Sequence, residues 1–364
     1  MSQSATHLLE ALREALLMQW PQGGAWTSMR LEPLKAKGLA HEHVRLVGNG
    51  WLARIPKQSQ MQLTALDNLN YQQACFKRAS PAGHAPACLH LLVPCASLPR
   101  GALIVQEIVG RAAQLPQDLP LMAHSMAALH RIALPPESQS APLVNASDPL
   151  QAMWDEVNTQ AAYLAEAGLA PSVAATIQAE MLRFEQLCKR TPRPLKRLIA
   201  FDGHPGNFVI APKAVQQEKA YLVDLEKCRY SYPSFDLAHA TLYTSTTWDV
   251  DSSHVLSPDD VLTTYRAWSA QVDEALGLDA ERWHLPLRRA MWLWSVTWCA
   301  KWRVTSGAVS ALAQDGEDWS AQNLDPTLAS HVRERVDHYL SESGVAWVSK
   351  EFDVLARRMS GVSK

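Results

Sequence analysis

Several features are missing from this sequence, and each absence removes a class of function. No stretch packs Lys and Arg densely, and 34 Lys and Arg against 36 Asp and Glu leave a formal net charge of −2 at pH 7. A nucleic-acid-binding domain carries a basic patch or stripe, so nucleic acid is not an expected partner. No apolar run reaches the length of a membrane span, and residues 1–7 lack a basic stretch followed by an apolar core. A soluble, cytoplasmic protein with no membrane partner is the expectation. The six cysteines, at 75, 88, 95, 188, 228 and 299, form neither a Cys-x-x-Cys pair nor a zinc pattern with His. They read as reduced structural thiols rather than a disulfide framework.

What is present is apolar material: 47% of 364 residues are hydrophobic and 13 are Trp. That suffices for two packed units. The chemistry concentrates in residues 198–211 and 221–236. Two apolar, β-rich runs, 208–211 and 220–225, flank the polar segment 212–219, which reads as a hairpin. Symmetrical folding about that segment pairs Ala211 with Ala220 and sets Asn207 opposite Asp224. Asn207, Asp224 and Glu226 then meet near the open end. Asp202 stands five residues before Asn207, on a tight loop containing Gly203, Pro205 and Gly206. Hard oxygen donors of this kind suit Mg²⁺, which keeps several waters and is shared between one or two carboxylates and nucleotide phosphates. A carboxylate left off the metal is free to accept a proton, an arrangement that recurs in phosphoryl transfer.

These residues resemble the aminoglycoside phosphotransferase and choline kinase superfamily of small-molecule kinases. Its catalytic loop reads His-Gly-Asp-x-His-Pro-Gly-Asn or a close variant, and residues 200–207 read Ala-Phe-Asp-Gly-His-Pro-Gly-Asn. In the choline and ethanolamine kinase branch the metal-binding strand reads Asp-Phe-Glu, followed by a Tyr and a Phe-Asp pair. Asp224-Leu225-Glu226, Tyr232 and Phe235-Asp236 reproduce that spacing. The resemblance implies that Asp202 is the catalytic base, that Asn207 and Asp224 hold Mg²⁺, and that Glu226 supports a second metal or its waters. Asp236 would brace the catalytic loop. It implies an α+β, bilobal, protein-kinase-like fold, with a small antiparallel-sheet N-lobe over residues 1–109 and a larger, mainly helical C-lobe over residues 110–364. ATP and Mg²⁺ would be the cofactors. The acceptor would be a small-molecule hydroxyl, on an amino alcohol such as choline or ethanolamine, or on an aminosugar or aminoglycoside. Two positions depart from the motif: Ala200 replaces the loop His, and Phe201 replaces the Gly after it. A nucleotide-binding pseudokinase with a regulatory or scaffold role is therefore the alternative, and a pure interaction protein with exposed Trp is a third reading.

The remaining chain is read around that centre. Residues 4–20 have Leu at helical spacing, and 31–56 alternate as the start of an antiparallel sheet, with a turn at Gly48-Asn49-Gly50. By resemblance the first turn, around Gly38, approaches the nucleotide phosphates. Arg54, on the following strand, would pair the α- and β-phosphates, with Lys57 as the reserve candidate. A helix is expected over 61–79, where Gln72 falls near the position of the family's strand-pairing Glu. Strands are expected over 88–93 and 102–108, and the hinge around Gln106 and Ile108 would receive adenine through its backbone. Helices are expected over 121–132, 149–167, 171–189, 326–340 and 345–359, and Ser257-Pro258-Asp259-Asp260 is a helix start. His130 and His204 read as structural. Trp294, Trp298 and Trp302 share one helical face. Trp294 and Trp302 read as core, and Trp298 is the candidate acceptor contact through cation–π attraction. Asp249, Asp251 and Glu317 are acids able to receive a cationic amine, with Asp249 the candidate taken forward.

Overall fold

The computed structural model describes residues 3–35, 40–212, 218–306 and 326–360. Helix α1 (Gln3–Gln19) precedes β1 (Leu31–Pro33), β2 (His41–Leu46), β3 (Trp51–Pro56), α2 (Ala65–Ala79), β4 (Cys88–Leu92) and β5 (Ala102–Gln106). The five strands form one antiparallel sheet in the order β1-β2-β3-β5-β4. The turn between β2 and β3 holds Gly48 and Gly50 at φ of +92° and +67°, values that residues with a Cβ adopt rarely. Alternation along the strands divides the sheet between two cores. Ala53 and Ile55 of β3 and Ala102 and Ile104 of β5 pack with Leu12 and Leu16 of α1, whereas Leu103 and Val105 join Leu69 and Phe76 of α2. Arg54 therefore projects on the α2 side of the sheet, paired in register with His43 of β2 and Leu103 of β5.

Two expectations for this part need correction. Helix α2 starts at Ala65 rather than at 61, because Thr64 caps it by accepting the Asp67 amide at 3.2 Å. Strand β5 ends at Gln106, so Ile108 lies beyond the sheet.

The chain continues through β6 (Arg111–Ala112), α3 (Leu119–His130), α4 (Pro149–Ala161), α5 (Pro171–Leu187), β7 (Arg197–Ile199), β8 (Phe208–Ala211), β9 (Lys219–Leu222) and β10 (Arg229–Ser231). It ends with α6 (Pro233–Thr241), α7 (Tyr243–Thr246), α8 (Pro258–Ser269), α9 (Glu274–Glu281), α10 (His284–Thr305), α11 (Pro326–Tyr339) and α12 (Glu342–Met359). This is the two-lobed α+β architecture expected. Helix α8 opens on the expected signal, a capping box between Ser257 and Asp260. Helix α4 stops short of 167, as three-residue hydrogen bonds from Tyr163 to Gln160 and from Leu164 to Ala161 tighten its last turn.

Two small ribbons carry the motif loops. β6, β8 and β9 form one, and β7 pairs antiparallel with β10 in the other. The loop 200–207 joins β7 to β8, and the loop 223–228 joins β9 to β10, so both run between the same two ribbons. The hairpin register differs by one from the symmetrical count. Ala211 pairs with Lys219, Ile210 with Ala220 and Phe208 with Leu222, and Asn207 therefore faces Val223, whose amide donates to its carbonyl at 2.9 Å. The observed register places Phe208, Ile210, Ala220 and Leu222 in one core; a shift of one would turn Tyr221 and Lys219 inward instead.

Helix α10 is the axis of the helical lobe. Most of its circumference is apolar and covered, with Leu287, Met291, Trp292, Val296, Cys299 and Trp302 all buried, as expected of a helix packed on several sides. Arg288 is fully buried on it and ties three helices together, donating to Glu351 of α12 at 2.6 Å and to the Thr241 carbonyl of α6 at 2.9 Å. Among the described residues no helix is long and apolar enough to cross a membrane.

Two buried histidines away from the motif loops predict acid sensitivity. Burial pushes His84 down to about 4, against the pull of the Ala220 carbonyl it contacts at 2.9 Å, and burial pushes His284 down to about 3. Both stay neutral in the folded protein, while the unfolded chain takes up protons near the ordinary value of about 6.5. The unfolded state then binds more protons below that value, so stability rises with pH from the depressed values to about 6.5. Each group contributes up to about 1.4 kcal/mol per pH unit in this window. The urea midpoint is expected to fall between pH 7.5 and pH 5; an unchanged midpoint contradicts this.

Candidate active site

The loop after β7 is held from beneath by one carboxylate. Asp236, in the first turn of α6 and fully buried, accepts the amides of Ala200 at 2.8 Å and Phe201 at 2.7 Å. Its Oδ2 also lies 3.1 Å from His130 Nε2. Trp268 donates to His130 Nδ1 at 2.9 Å, which assigns the His130 proton to Nε2 and makes that nitrogen the donor to Asp236. His130 is thus structural. Phe201 takes φ of +65°, a left-handed conformation, at the position where the resembling motif has Gly. Its ring is buried between Trp294, at 5.2 Å, and the Arg229 guanidinium, at 3.6 Å.

Asp202 follows directly. Its Oδ2 accepts Lys227 Nζ at 2.7 Å, and its Oδ1 lies 3.7 Å from His239 Nδ1. Burial alone would raise its pKa, but the Lys227 ammonium, with His204 and His239, holds it well below the usual carboxylate range. Lys227 is raised in turn, as the charges of Asp202 and Glu226 outweigh its burial. Burial pushes His239 down to about 4 despite Asp202, so its ring is neutral near pH 7 and its Nδ1 meets the Phe201 carbonyl at 3.1 Å. Asn207 donates through Nδ2 to the Asp202 carbonyl at 2.7 Å. Among the described residues nothing engages its Oδ1. His204 accepts the Gly206 amide through Nδ1 at 3.2 Å and so supports its own loop. Gly206 is pressed against Asp249: an added Cβ would lie 2.7 Å from the Asp249 Cβ. Asp249 itself forms a turn, with Oδ1 accepting the amides of Asp251 and Ser252 and the Ser252 hydroxyl, each at 3.0 Å.

The second loop brings its carboxylates to the sheet. Asp224 Oδ1 accepts Arg54 Nη2, and Arg54 is buried. Arg54 Nη2 is also 3.2 Å from His41 Nδ1, and His41 Nε2 is 3.2 Å from Gln72 Oε1 and 3.5 Å from Glu226. The ion pair expected between strand cation and helix carboxylate is replaced here by a relay, in which Arg54 donates to His41 and His41 to Gln72. Burial, then the charges of Arg54 and His43, push His41 well below the ordinary histidine range, so the relay is neutral apart from Arg54. Gln60 donates to Glu226 at 3.2 Å. Burial and the neighbouring Asp224 charge push Glu226 up to about 8. Lys57 pairs with Glu42 at 3.8 Å, which leaves Arg54 as the cation that strand β3 brings to the site.

The donor set fits a hard divalent cation. Ligand atoms of His41, Asp224 and Glu226 lie within 4.8 Å of one another. Because His41 Nδ1 accepts from Arg54, its Nε2 carries the proton and is no ligand, so the carboxylates and the open Asn207 Oδ1 remain. Oxygen donors of this kind suit Mg²⁺. A cation would also relieve the Asp224–Glu226 repulsion.

The other expected positions have surroundings of their own. Gln106 sits at the end of β5, where its amide donates to the Ala87 carbonyl at 2.8 Å, and Ile108 is half-buried beyond it. Gly38 and Glu317 fall outside the described residues. Trp298 is half-buried and packs edge-on against Trp248 at 5.7 Å. Trp302 is core, but Trp294 is more than core. Its ring lies 5.6 Å from Lys227 Nζ and 6.1 Å from His239, and its Nε1 donates to Glu156 at 3.1 Å. Sequence reasoning missed Lys227, His239, Trp294 and His41 as neighbours of the motif carboxylates. Only His41 had a signal: it shares strand parity with His43, which a count through the Gly48-Asn49-Gly50 turn places opposite Arg54.

The family model described as phosphotransferase enzyme family matches residues 50–302. No functionally curated protein matches the chain in sequence. Among solved structures, an ethanolamine kinase of Plasmodium vivax is 13% identical with a TM-score of 0.61, over 95% of this chain and 90% of its own. A spectinomycin phosphotransferase in complex with ADP and spectinomycin is 10% identical with a TM-score of 0.58, over 94% of this chain and 98% of its own. The GDP complex of aminoglycoside 2'-phosphotransferase-IIIa is 16% identical with a TM-score of 0.55, over 90% of this chain and 96% of its own. At these identities the likeness is one of fold.

Proposed function

This chain belongs to the phosphotransferase enzyme family, and on that premise we propose that it transfers the γ-phosphoryl group of ATP, with Mg²⁺, to a hydroxyl of a small molecule. The observation that carries the reading is the meeting of two loops from shared ribbons. One presents Asp202, and the other presents Asp224 and Glu226 beside the buried Arg54. Asp202 accepts the proton of the acceptor hydroxyl. Arg54 binds the α- and β-phosphates, and Gln106 and Ile108 lie along the nucleotide; the phosphate role expected of Gly38 falls outside the described residues. Asn207 and Asp224 hold the metal, with Glu226 behind them. When bound, Mg²⁺ neutralises phosphate charge during transfer. Trp298 and Asp249 are proposed acceptor contacts. The acceptor is an amino alcohol or an aminosugar, a choice supported by the ethanolamine kinase and aminoglycoside phosphotransferase among the fold's relatives. A reducing, cytoplasmic setting suits the six free cysteines.

The pseudokinase alternative rests on Ala200 and Gln72. Both losses have a local replacement: Asp236 fixes the Ala200 amide directly, and His41 with Gln72 orients Arg54. An active enzyme is the better reading. ADP release from MgATP, assayed against amino alcohols, aminosugars and aminoglycosides, tests it. Acceptor-dependent release is expected from one class. Nucleotide binding without release across the panel would favour the pseudokinase.

A further inference from the structure

Lys227 is the residue that the motif leaves unexplained. It follows Glu226 directly, is buried, and reaches out of the metal-side loop to bond Asp202 at 2.7 Å on the opposite loop. The Trp294 ring lies 5.6 Å from Nζ. Among the described residues no other Lys or Arg bonds Asp202. Arg54, the other cation of the site, is held by Asp224.

A clip between two loops does not need this chemistry. Desolvating an ammonium and a carboxylate offsets most of their attraction, and an apolar pair of similar volume holds two segments as well or better. An ammonium on the base also opposes proton uptake by that base. The arrangement gains a purpose where negative charge collects beside Asp202. In phosphoryl transfer that place is the transferred group, whose charge spreads over three equatorial oxygens between acceptor and leaving group. A positive donor already fixed beside the base needs no reorganisation to meet it.

We propose that Lys227 is a catalytic residue, with its ammonium shared between Asp202 Oδ2 and the phosphoryl group in transfer. This rests on the phosphotransferase reading above. The bond from the acceptor oxygen to Pγ forms as the bond from Pγ to the β-phosphate oxygen breaks. The hydroxyl proton passes to Asp202 Oδ1, the oxygen that Lys227 leaves open, and ADP departs with the electron pair of the broken bond.

The experiment compares calorimetric binding of MgADP alone with MgADP plus aluminium fluoride, a mimic of the phosphoryl group in transfer, for wild type and Lys227→Met. Wild type is expected to bind the fluoride complex more tightly than MgADP. Lys227→Met is expected to keep MgADP affinity within about threefold and to lose about 100-fold on the fluoride complex, the effect of removing one preorganised donor. Should Lys227→Met not fold, Lys227→Gln decides, since it keeps an N–H donor for Asp202 and removes the charge. Equal tightening in wild type and variant overturns the assignment of Lys227 and leaves the phosphotransferase reading standing. Equal loss on both complexes makes Lys227 a structural clip and also overturns it, as does a wild type that gains nothing from fluoride. A wild type that binds no MgADP overturns the phosphotransferase reading as well.

Discussion

Asp202→Asn is expected to lower acceptor-dependent ADP release by about 10³-fold, within the range contributed by a positioned general base, while MgATP binding stays within a few-fold of wild type. The substitution is nearly isosteric. Its amide oxygen still accepts from Lys227, and the loop frame is untouched, because Asp236 grips the backbone of Ala200 and Phe201 rather than the Asp202 side chain. Nucleotide contacts proposed for Arg54 and Asp224 lie on the other loop and on the sheet. What is lost is the group that takes the hydroxyl proton. Some stability should go with it, about 1–3 kcal/mol, since a buried ammonium is left facing a neutral oxygen. Thermal melting in parallel separates that effect from catalysis. Retained turnover in a folded Asp202→Asn protein removes the base assignment, and a parallel loss of MgATP binding would mean that Asp202 belongs to the nucleotide site instead.

The parts of this site that were legible in sequence are those whose chemistry is local. A capping signal such as Ser257 and Asp260 acts within one turn, and the residues of the two motif loops are close enough along the chain to be read together. The hairpin register was not legible to the last residue, because it is decided by which side chains enter the core and not by the length of the polar segment. Lys227 was hidden for a related reason. It lies in a turn, where the alternation that places Arg54 and His43 on one face no longer applies, and its partner is 25 residues away on another loop. The replacement of an ion pair by His41 and Gln72 was half visible: the missing Glu could be seen, but a relay through a residue 31 positions away could not.

Removing the brace should have an effect as large as removing the base, by a different route. Asp236→Ala strips the acceptor from two backbone amides and from His130, all in a site closed to water. Breaking a buried charged network of this kind costs about 3–5 kcal/mol, so a clear fall in melting temperature and loss of turnover are expected together. Asp236→Asn should recover part of this, because one amide oxygen can serve one of the two backbone donors while its NH₂ faces the other. The same brace explains how Phe201 tolerates φ of +65°. Left-handed backbone costs a residue with a Cβ about 1–2 kcal/mol, and Gly is spared it. Phe201→Ala keeps that strain and also empties a buried ring site, a loss of about 3–5 kcal/mol. Phe201→Gly empties the same site but relaxes the backbone, so it should melt above Phe201→Ala although it removes one more carbon. The reverse order would mean that the loop conformation is set by ring packing against Trp294 and Arg229, and that the two hydrogen bonds from Asp236 only follow it.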